Sequence, residues 1–134
     1  MITIPELHSL FDFGICVVLW LVQLVIYPSF LRIEPTKLIA WHKVYTFRVS
    51  FVIVPLMFGQ LVLAILNLWE DPSMLDWIAF AFVLVCWILT FIVSVPLHRK
   101  IEQNDITKET RQKLITTNWP RTILWSLVFG LGLF

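Results

Sequence analysis

The chain alternates long apolar segments with short polar ones. Four apolar segments run over about 10–30, 47–69, 75–97 and 114–134. A helix of about 20 residues spans the roughly 30 Å hydrocarbon core of a bilayer. A lone strand would leave its backbone polar groups unpaired in lipid, so each segment is predicted to be a helix. The pattern predicts one all-α membrane domain, residues 1–134, with four transmembrane helices.

The connections between these segments are short, which favours an antiparallel up-down four-helix bundle. Three prolines fall within or near the ends of the first three helices. Because proline removes a backbone hydrogen bond, Pro28 and Pro96 are expected to help end their helices and Pro55 to bend the second one. A turn is expected near Asn104 and Asp105.

The composition supports a membrane location. Hydrophobic residues make up 59% of the chain and charged residues 14%, whereas soluble domains are about a quarter charged. A small soluble domain leaves much of its surface in water and could not hide this much apolar area. The two cysteines, Cys16 and Cys86, lie in apolar segments and are expected to act as small hydrophobic residues.

The basic residues predict the orientation. The first and third connections and the adjoining helix starts hold all ten, namely Arg32, Lys37, Lys43, Arg48, Arg99, Lys100, Lys108, Arg111, Lys113 and Arg121. The other side is predicted to hold acids in water-facing segments, namely Glu6, Asp12, Glu70, Asp71 and Asp76. Since basic residues stay cytoplasmic in short loops, both termini are predicted to be periplasmic in a bacterial inner membrane.

Polar residues at membrane depth are the candidates for function. With this orientation, all four helices bring such residues to the cytoplasmic end of the bundle. The candidate ligand-binding residues are Gln23, Tyr27, His42, Tyr45, Arg48, His98, Asn118, Trp119, Arg121 and Trp125. The opposite half is expected to hold little that is comparable, apart from Gln60 and His8.

Two interpretations of this polar layer stay open. Arginine side chains near a helix end can extend to the interface, and an asparagine can hold helices together by a hydrogen bond of about 1 kcal/mol. Alternatively, the layer is a site for a ligand or cofactor. Arg121 favours the site, because an unpaired charge at its depth costs at least about 2–3 kcal/mol. It should find a partner in Glu102, in a ligand anion, or in Asn and Tyr oxygens.

The sequence carries no signature that identifies a reaction, and whether the protein is an enzyme stays open. No Ser-His-Asp set, phosphate-binding glycine loop or catalytic carboxylate pair is present. His42 and His98 are weak candidates for metal or haem-iron ligands, since they lie on different helices without a known metal-binding spacing. Haem and quinone are the cofactors considered.

Four stretches carry a resemblance to a known group. They are WLVQLVIYPSF (20–30), WHKVYTFRVSFVIVPLM (41–57), VPLH (95–98) and LITTNWPRTILW (114–125). They resemble a widespread group of small bacterial four-helix membrane proteins of uncharacterised function. The Asn-Trp-x-Arg-Thr motif of residues 118–122 is the most specific part. The chain departs from the group's pattern at Gln60, where glutamate is more usual, and at Pro120, where an aliphatic residue is usual.

A more distant similarity is to anthrone-oxygenase-like membrane proteins, which share the four-helix plan and polar helix ends. The four-helix membrane protoporphyrinogen oxidase, which binds haem, is similar only in architecture and in an early Leu-His pair, here Leu7 and His8. These resemblances imply a redox role or an aromatic ligand.

The leading hypothesis is a membrane protein with a cytoplasmic-side polar pocket for a hydrophobic ligand, such as a quinone, porphyrin, polyketide or lipid, with redox chemistry as one option. The alternative is a non-enzymatic accessory or assembly subunit of a larger membrane complex. The expected partners are the lipid bilayer and either a small hydrophobic ligand or a membrane protein. A homo-oligomer is one option, and nucleic acid is not expected.

Overall fold

The computed structural model describes residues 1–133 and folds them into four long helices, with no strand in that part of the chain. The helices are α1 (Ile4–Ser29), α2 (Pro35–Asn67), α3 (Met74–Glu102) and α4 (Lys108–Leu131). α1, α2 and α3 are long and apolar enough to cross a membrane. The fold is therefore all-helical, with three candidate transmembrane helices.

α4 is less apolar than the other helices for two reasons. Its first turns carry the charged residues Lys108, Glu109, Arg111 and Lys113. Further along, Asn118 and Arg121 are buried against the other helices. The mean hydropathy of α4 includes these interior polar residues as well as the apolar residues on its outer surface, such as Ile123, and is therefore low.

The helices begin earlier than the apolar segments suggest. α1 starts at Ile4 with a capping box between Thr3 and Glu6, and α2 starts with Pro35 in its first turn. Proline suits that position, because the first helical N–H groups have no partner within the helix. The predicted third segment lies inside α3. The predicted end of the fourth segment, Phe134, lies outside the described residues.

The connection between α3 and α4 turns at Asn104, whose φ is 78°, as the sequence predicted. Thr107 caps α4 by accepting a hydrogen bond from the Thr110 N–H. The hydroxyl groups of Thr107 and Thr110 also donate to the Asp105 carboxylate, and these bonds lower the pKa of that carboxyl group. The turn thus defines where α4 begins.

Two short π-helical segments, Val22–Ile26 in α1 and Thr90–Ser94 in α3, each lie just before a proline. In both, a backbone N–H donates to a carbonyl five residues back. The prediction that Pro96 ends its helix is wrong, since α3 continues to Glu102. The wider π turn rearranges the hydrogen bonds just before the residue that lacks an N–H, so the helix continues. Pro28 does lie one residue before the end of α1.

Glycines allow α1 and α2 to approach closely. A Cβ atom at Gly59 would overlap the ring of Phe11, and one at Gly14 would lie 3.2 Å from the Leu56 side chain. Small residues at such crossings let membrane helices gain van der Waals contact. The Gly59–Phe11 contact therefore makes the α1–α2 packing sensitive to added volume.

Gly59→Ala is expected to destabilise the protein by roughly 1–3 kcal/mol, because the Phe11 ring must leave its position to admit a methyl group. Thermal unfolding in mild detergent measures this loss. Gly130→Ala is the matched control, since a Cβ there meets nothing within 4 Å. Equal melting temperatures for the two variants would contradict the close approach.

Candidate functional site

Arg121 lies at the centre of a buried polar network and is only 4% exposed. Its Nη1 donates to the Ser94 hydroxyl at 2.8 Å and to the Asn118 side-chain oxygen at 3.0 Å. Its guanidinium carbon lies 5.3 Å from the centre of the Trp125 ring. Arg121 forms no ion pair with a carboxylate of residues 1–133. Its positive charge is therefore held by neutral groups.

Gln23 joins α1 to this network. Its amide nitrogen donates to the Ile115 carbonyl at 3.1 Å, and its oxygen accepts from the Asn118 amide at 2.9 Å. Asn118 also donates to the Thr122 hydroxyl at 3.2 Å. The π-helical segments supply two members of this network, Gln23 and Ser94, and π segments often occur at functional sites.

A second set of polar side chains lies beside the first. The Tyr27 hydroxyl is 2.9 Å from Nε2 of His98, and Nδ1 of His98 is 2.8 Å from Nε2 of His42. Nδ1 of His42 is 3.3 Å from Oε1 of Glu102, which also accepts from the Thr46 hydroxyl at 3.0 Å. Three helices thus contribute to one line of interacting side chains.

Between α2 and α3 lies a cavity of about 600 Å³. Arg121, Tyr27 and His98 line it, together with apolar residues of both helices. Phe47 and Phe91 are 67% and 58% exposed and also line the cavity, so it opens sideways onto the outer surface of the protein. Its volume and mostly apolar walls are typical of a small-molecule site.

The structure brings most of the predicted site residues together. The hydrogen-bonded sets and the cavity wall include Gln23, Tyr27, His42, Tyr45, His98, Asn118, Arg121 and Trp125. Arg48 is exposed and does not line the cavity. It is six residues after His42, and two steps of three residues rotate its side chain well away from that face.

Trp119 also lies outside this group. It is 39% exposed and packs edge-on against Trp20, with ring centres 5.9 Å apart. As the residue after Asn118, it points about 100° away around α4. Arg48 and Trp119 are therefore surface residues in this fold.

Sequence reasoning missed Ser94, Thr122 and Thr46, which complete the two hydrogen-bonded sets. Hydroxyl groups are common in membrane helices, where they often bond to their own backbone. Thr122 had a detectable pattern, since it lies four residues after Asn118 on the same helical face.

The opposite end of the bundle contains a second buried polar cluster, contrary to prediction. Asp12 is 2% exposed and accepts from the Gln60 amide at 2.5 Å. His8 lies 3.5 Å from Asp12 and 2.8 Å from the Asn67 amide nitrogen. Trp125 joins this cluster by donating to the Gln60 oxygen at 2.9 Å. The expectation that Asp12 faces water is wrong, because the i, i+4 spacing of His8 and Asp12 turns both toward α2.

The histidines do not fit a metal or haem-iron site. His42 and His98 direct one ring nitrogen each at the other, and the remaining nitrogen of His98 bonds to Tyr27. Binding iron through His98 would require this line to break, and binding it through Nδ1 of His42 would require Glu102 to leave its 3.3 Å contact. Among residues 1–133, no group of three or more His, Cys, Asp or Glu side chains is arranged to hold a metal ion.

Comparison of the chain with protein-family models, curated proteins and solved structures found no match.

Proposed function

We propose that the protein binds a hydrophobic molecule with an anionic or carbonyl oxygen in the cavity between α2 and α3. Arg121 would hold that oxygen, and the aromatic and aliphatic walls would contact the rest of the molecule. A quinone, a polyketide, a porphyrin carboxylate or a lipid headgroup has this chemistry.

The observation that carries this proposal is the state of Arg121. Its guanidinium lines the cavity and has no carboxylate partner among residues 1–133, and its Nε has no hydrogen-bond partner there. Guanidinium groups bind carboxylate and similar oxygen pairs with two parallel N–H bonds. A ligand oxygen would supply the missing acceptor in a site largely shielded from water.

The proposed setting is a bacterial inner membrane crossed four times, with both termini periplasmic and the helices antiparallel. All ten basic residues lie in the α1–α2 and α3–α4 connections or on the helices that flank them, and none lies in the α2–α3 connection, which supports this orientation. α4 has 24 residues, enough to span the hydrocarbon core. Its outer surface carries Ile123 and Leu127, while Arg121 is buried. In this setting the opening beside Phe47 and Phe91 faces lipid, so a hydrophobic ligand can enter from the inner leaflet.

Arg121→Gln is expected to reduce ligand occupancy about 10- to 100-fold, since hydrogen bonds from a charged donor contribute about 1.5–3 kcal/mol. The protein is purified in mild detergent, and bound small molecules are quantified by mass spectrometry and absorption spectroscopy. Arg121→Lys keeps the charge but loses the paired N–H groups, so intermediate occupancy is expected.

Arg111→Gln is the matched control for this experiment. Arg111 is also a buried arginine of α4, but it donates to the Phe30 carbonyl and does not line the cavity. Its loss should affect folding without selectively emptying the cavity. A folded, ligand-free wild type would refute the proposal, as would equal occupancy in Arg121→Gln. A protein that co-purifies at fixed stoichiometry with an empty cavity would favour the accessory-subunit alternative.

A further inference from the structure

Four titratable side chains form a line along the cavity wall, from the partly exposed Glu102 to the buried Tyr27. Glu102 is the outermost member, with 33% of its side chain exposed. His42 is completely buried, and Tyr27 at the other end is 4% exposed. The rings of Phe30 and Tyr45 pack against His42, with centres 5.4 and 6.2 Å away. His42 is therefore separated from water, whereas His98 is partly exposed and lines the cavity.

The contacts in this line allow only two arrangements of protons between neutral rings. In the first arrangement, Nδ1–H of His42 faces an ionised Glu102, and Nε2 of His42 accepts a hydrogen bond from Nδ1–H of His98. Nε2 of His98 must then accept from the Tyr27 hydroxyl. In the reverse arrangement, both histidines carry their proton on Nε2, and the Tyr27 oxygen accepts. The N–H···N bond thus requires His42 and His98 to be in the same tautomer.

We propose that Glu102, His42, His98 and Tyr27 form a proton path between the surface and the ligand oxygen held by Arg121. This inference rests on the proposed function and narrows the ligand to one whose oxygen gains and loses a proton, such as a phenol or hydroquinone. The path supplies protons alone, and no electron transfer is part of the proposal.

Each transfer balances. A protonated Glu102 gives its proton to Nδ1 of His42, and the Nε2 proton of His42 passes to Nδ1 of His98. The Nε2 proton of His98 passes to the Tyr27 oxygen, whose own proton goes to the ligand oxyanion. One proton leaves the surface and one O–H bond forms on the ligand. Both histidines then carry their proton on Nδ1. From this state, the same steps in reverse move a proton from an acidic ligand to Glu102.

The outer step requires a small movement. The 3.3 Å contact between Glu102 and His42 does not have the alignment of a hydrogen bond, and Nδ1 of His42 has no other partner among residues 1–133. Glu102 is the member with room to rotate, because it is partly exposed. Lys43 and Arg99 line the cavity near this end, and Arg121 is the charged group of α4 that faces the cavity.

The path ends at the cavity and does not cross the protein. Arg121 contacts the face of the Trp125 ring, and Trp125 donates to Gln60 of the opposite cluster. An indole N–H is a donor only and cannot relay a proton. The buried Asp12 therefore belongs to a separate cluster, and the histidine line serves the cavity alone.

Nitrogen NMR of histidine-labelled protein tests the path without any ligand. The chain has three histidines, so each ring can be assigned. Glu102→Leu removes the acceptor at Nδ1 of His42 and should shift the populations of the two tautomers. His98 should change by the same fraction as His42, whereas His8 in the opposite cluster should not change. A change at His42 alone would overturn the proposal.

Transfer itself is measured with 4-nitrophenol carrying an octyl chain, whose phenolate absorbs visible light. After a rapid drop in pH, the absorbance reports when a proton reaches the bound phenolate. Tyr27→Phe and His42→Phe should slow its arrival at least about tenfold, since positioned proton donors contribute factors of 10²–10⁴. His8→Phe is the control and should stay within about twofold of wild type. His8 is also a largely buried histidine, but it contacts Asp12 and Asn67 in the opposite cluster and does not line the cavity.

The two proposals fail in different ways. If the nitrophenolate does not bind the wild type, binding of an anionic phenol is refuted, and the tautomer measurement still decides whether the line exists. If the nitrophenolate binds and its binding requires Arg121, but it gains its proton at the wild-type rate in all variants, the ligand site is supported and the proton path is refuted.

Discussion

Replacing Asn118 with leucine is expected to lower the free energy of unfolding by about 2–4 kcal/mol, the cost of leaving buried polar partners unpaired. Asn118 accepts from Arg121 and donates to Gln23, so its loss removes one bond from each of two other buried side chains. Gln23 would keep only a 3.5 Å contact with Thr122 at that oxygen. Thermal melting and denaturant unfolding in detergent measure the change.

Thr116→Leu provides the comparison for this variant. Thr116 lies two residues before Asn118 on the exposed side of α4, and its hydroxyl bonds only to carbonyl groups of its own helix. Its melting temperature should stay near that of wild type. If the two leucine variants have equal melting temperatures, Asn118 does not hold the network, and the buried position of Arg121 requires another explanation.

The network explains how a guanidinium can be buried without a carboxylate. If α4 spans the membrane as proposed, an arginine near its middle costs about 2.5–3.5 kcal/mol on insertion scales. Two hydrogen bonds from a charged donor contribute about 1.5–3 kcal/mol each, and Arg121 makes two such bonds, to Ser94 and Asn118. These terms roughly offset each other. The charge stays available to a ligand, whereas a neighbouring carboxylate would neutralise it.

The length and apolar character of the segments were enough to predict the helical fold. Each predicted apolar segment overlaps one helix of the structure, since a helix pairs its backbone groups within its own segment. Where α2 begins was less predictable. Its first twelve residues, 35–46, are too polar to be recognised as part of an apolar segment. They are nevertheless helical, so α2 begins well before the apolar segment does.

The sequence predicted which site residues lie together where their spacing places them on one face of the same helix. Asn118, Arg121 and Trp125 lie three and four residues apart and do share one face of α4. His42, Tyr45 and Arg48 follow one another at two steps of three residues, and such steps drift around a helix of 3.6 residues per turn. The direct contact between His42 and His98 could not be foreseen, because their separation depends on how α2 and α3 pack.

The π turns are a further limit on prediction from sequence. The prolines were detectable, but the wide turn before each of them depends on what the neighbouring helices supply. At Val22–Ile26 and Thr90–Ser94 the widened backbone carries Gln23 and Ser94, which contact residues of α4. The prolines thus act at the site, through the backbone that positions these two side chains.

The buried carboxylate at the opposite end leads to the second large prediction. Asp12→Leu is expected to cost about 2–4 kcal/mol of stability, because it leaves the Gln60 amide without its buried acceptor and removes the carboxylate that lies 3.5 Å from the His8 ring. Asp12→Asn keeps an oxygen for Gln60 and should cost less than about 1 kcal/mol. The difference in melting temperature between these variants separates the effect of losing the hydrogen-bond acceptor from the effect of changing the side chain's volume.

The same pair of variants tests whether the two polar clusters are independent. Among residues 1–133, the hydrogen bonds of Asp12 lead toward the inner network through Gln60 and Trp125 alone, and Trp125 contacts Arg121 with its ring face. Asp12→Asn should therefore leave both ligand occupancy and the tautomers of His42 and His98 unchanged. A loss of ligand in a well-folded Asp12→Asn protein would mean that charge at this end acts on Arg121 across the bundle. The outer cluster would then have to be counted as part of the site.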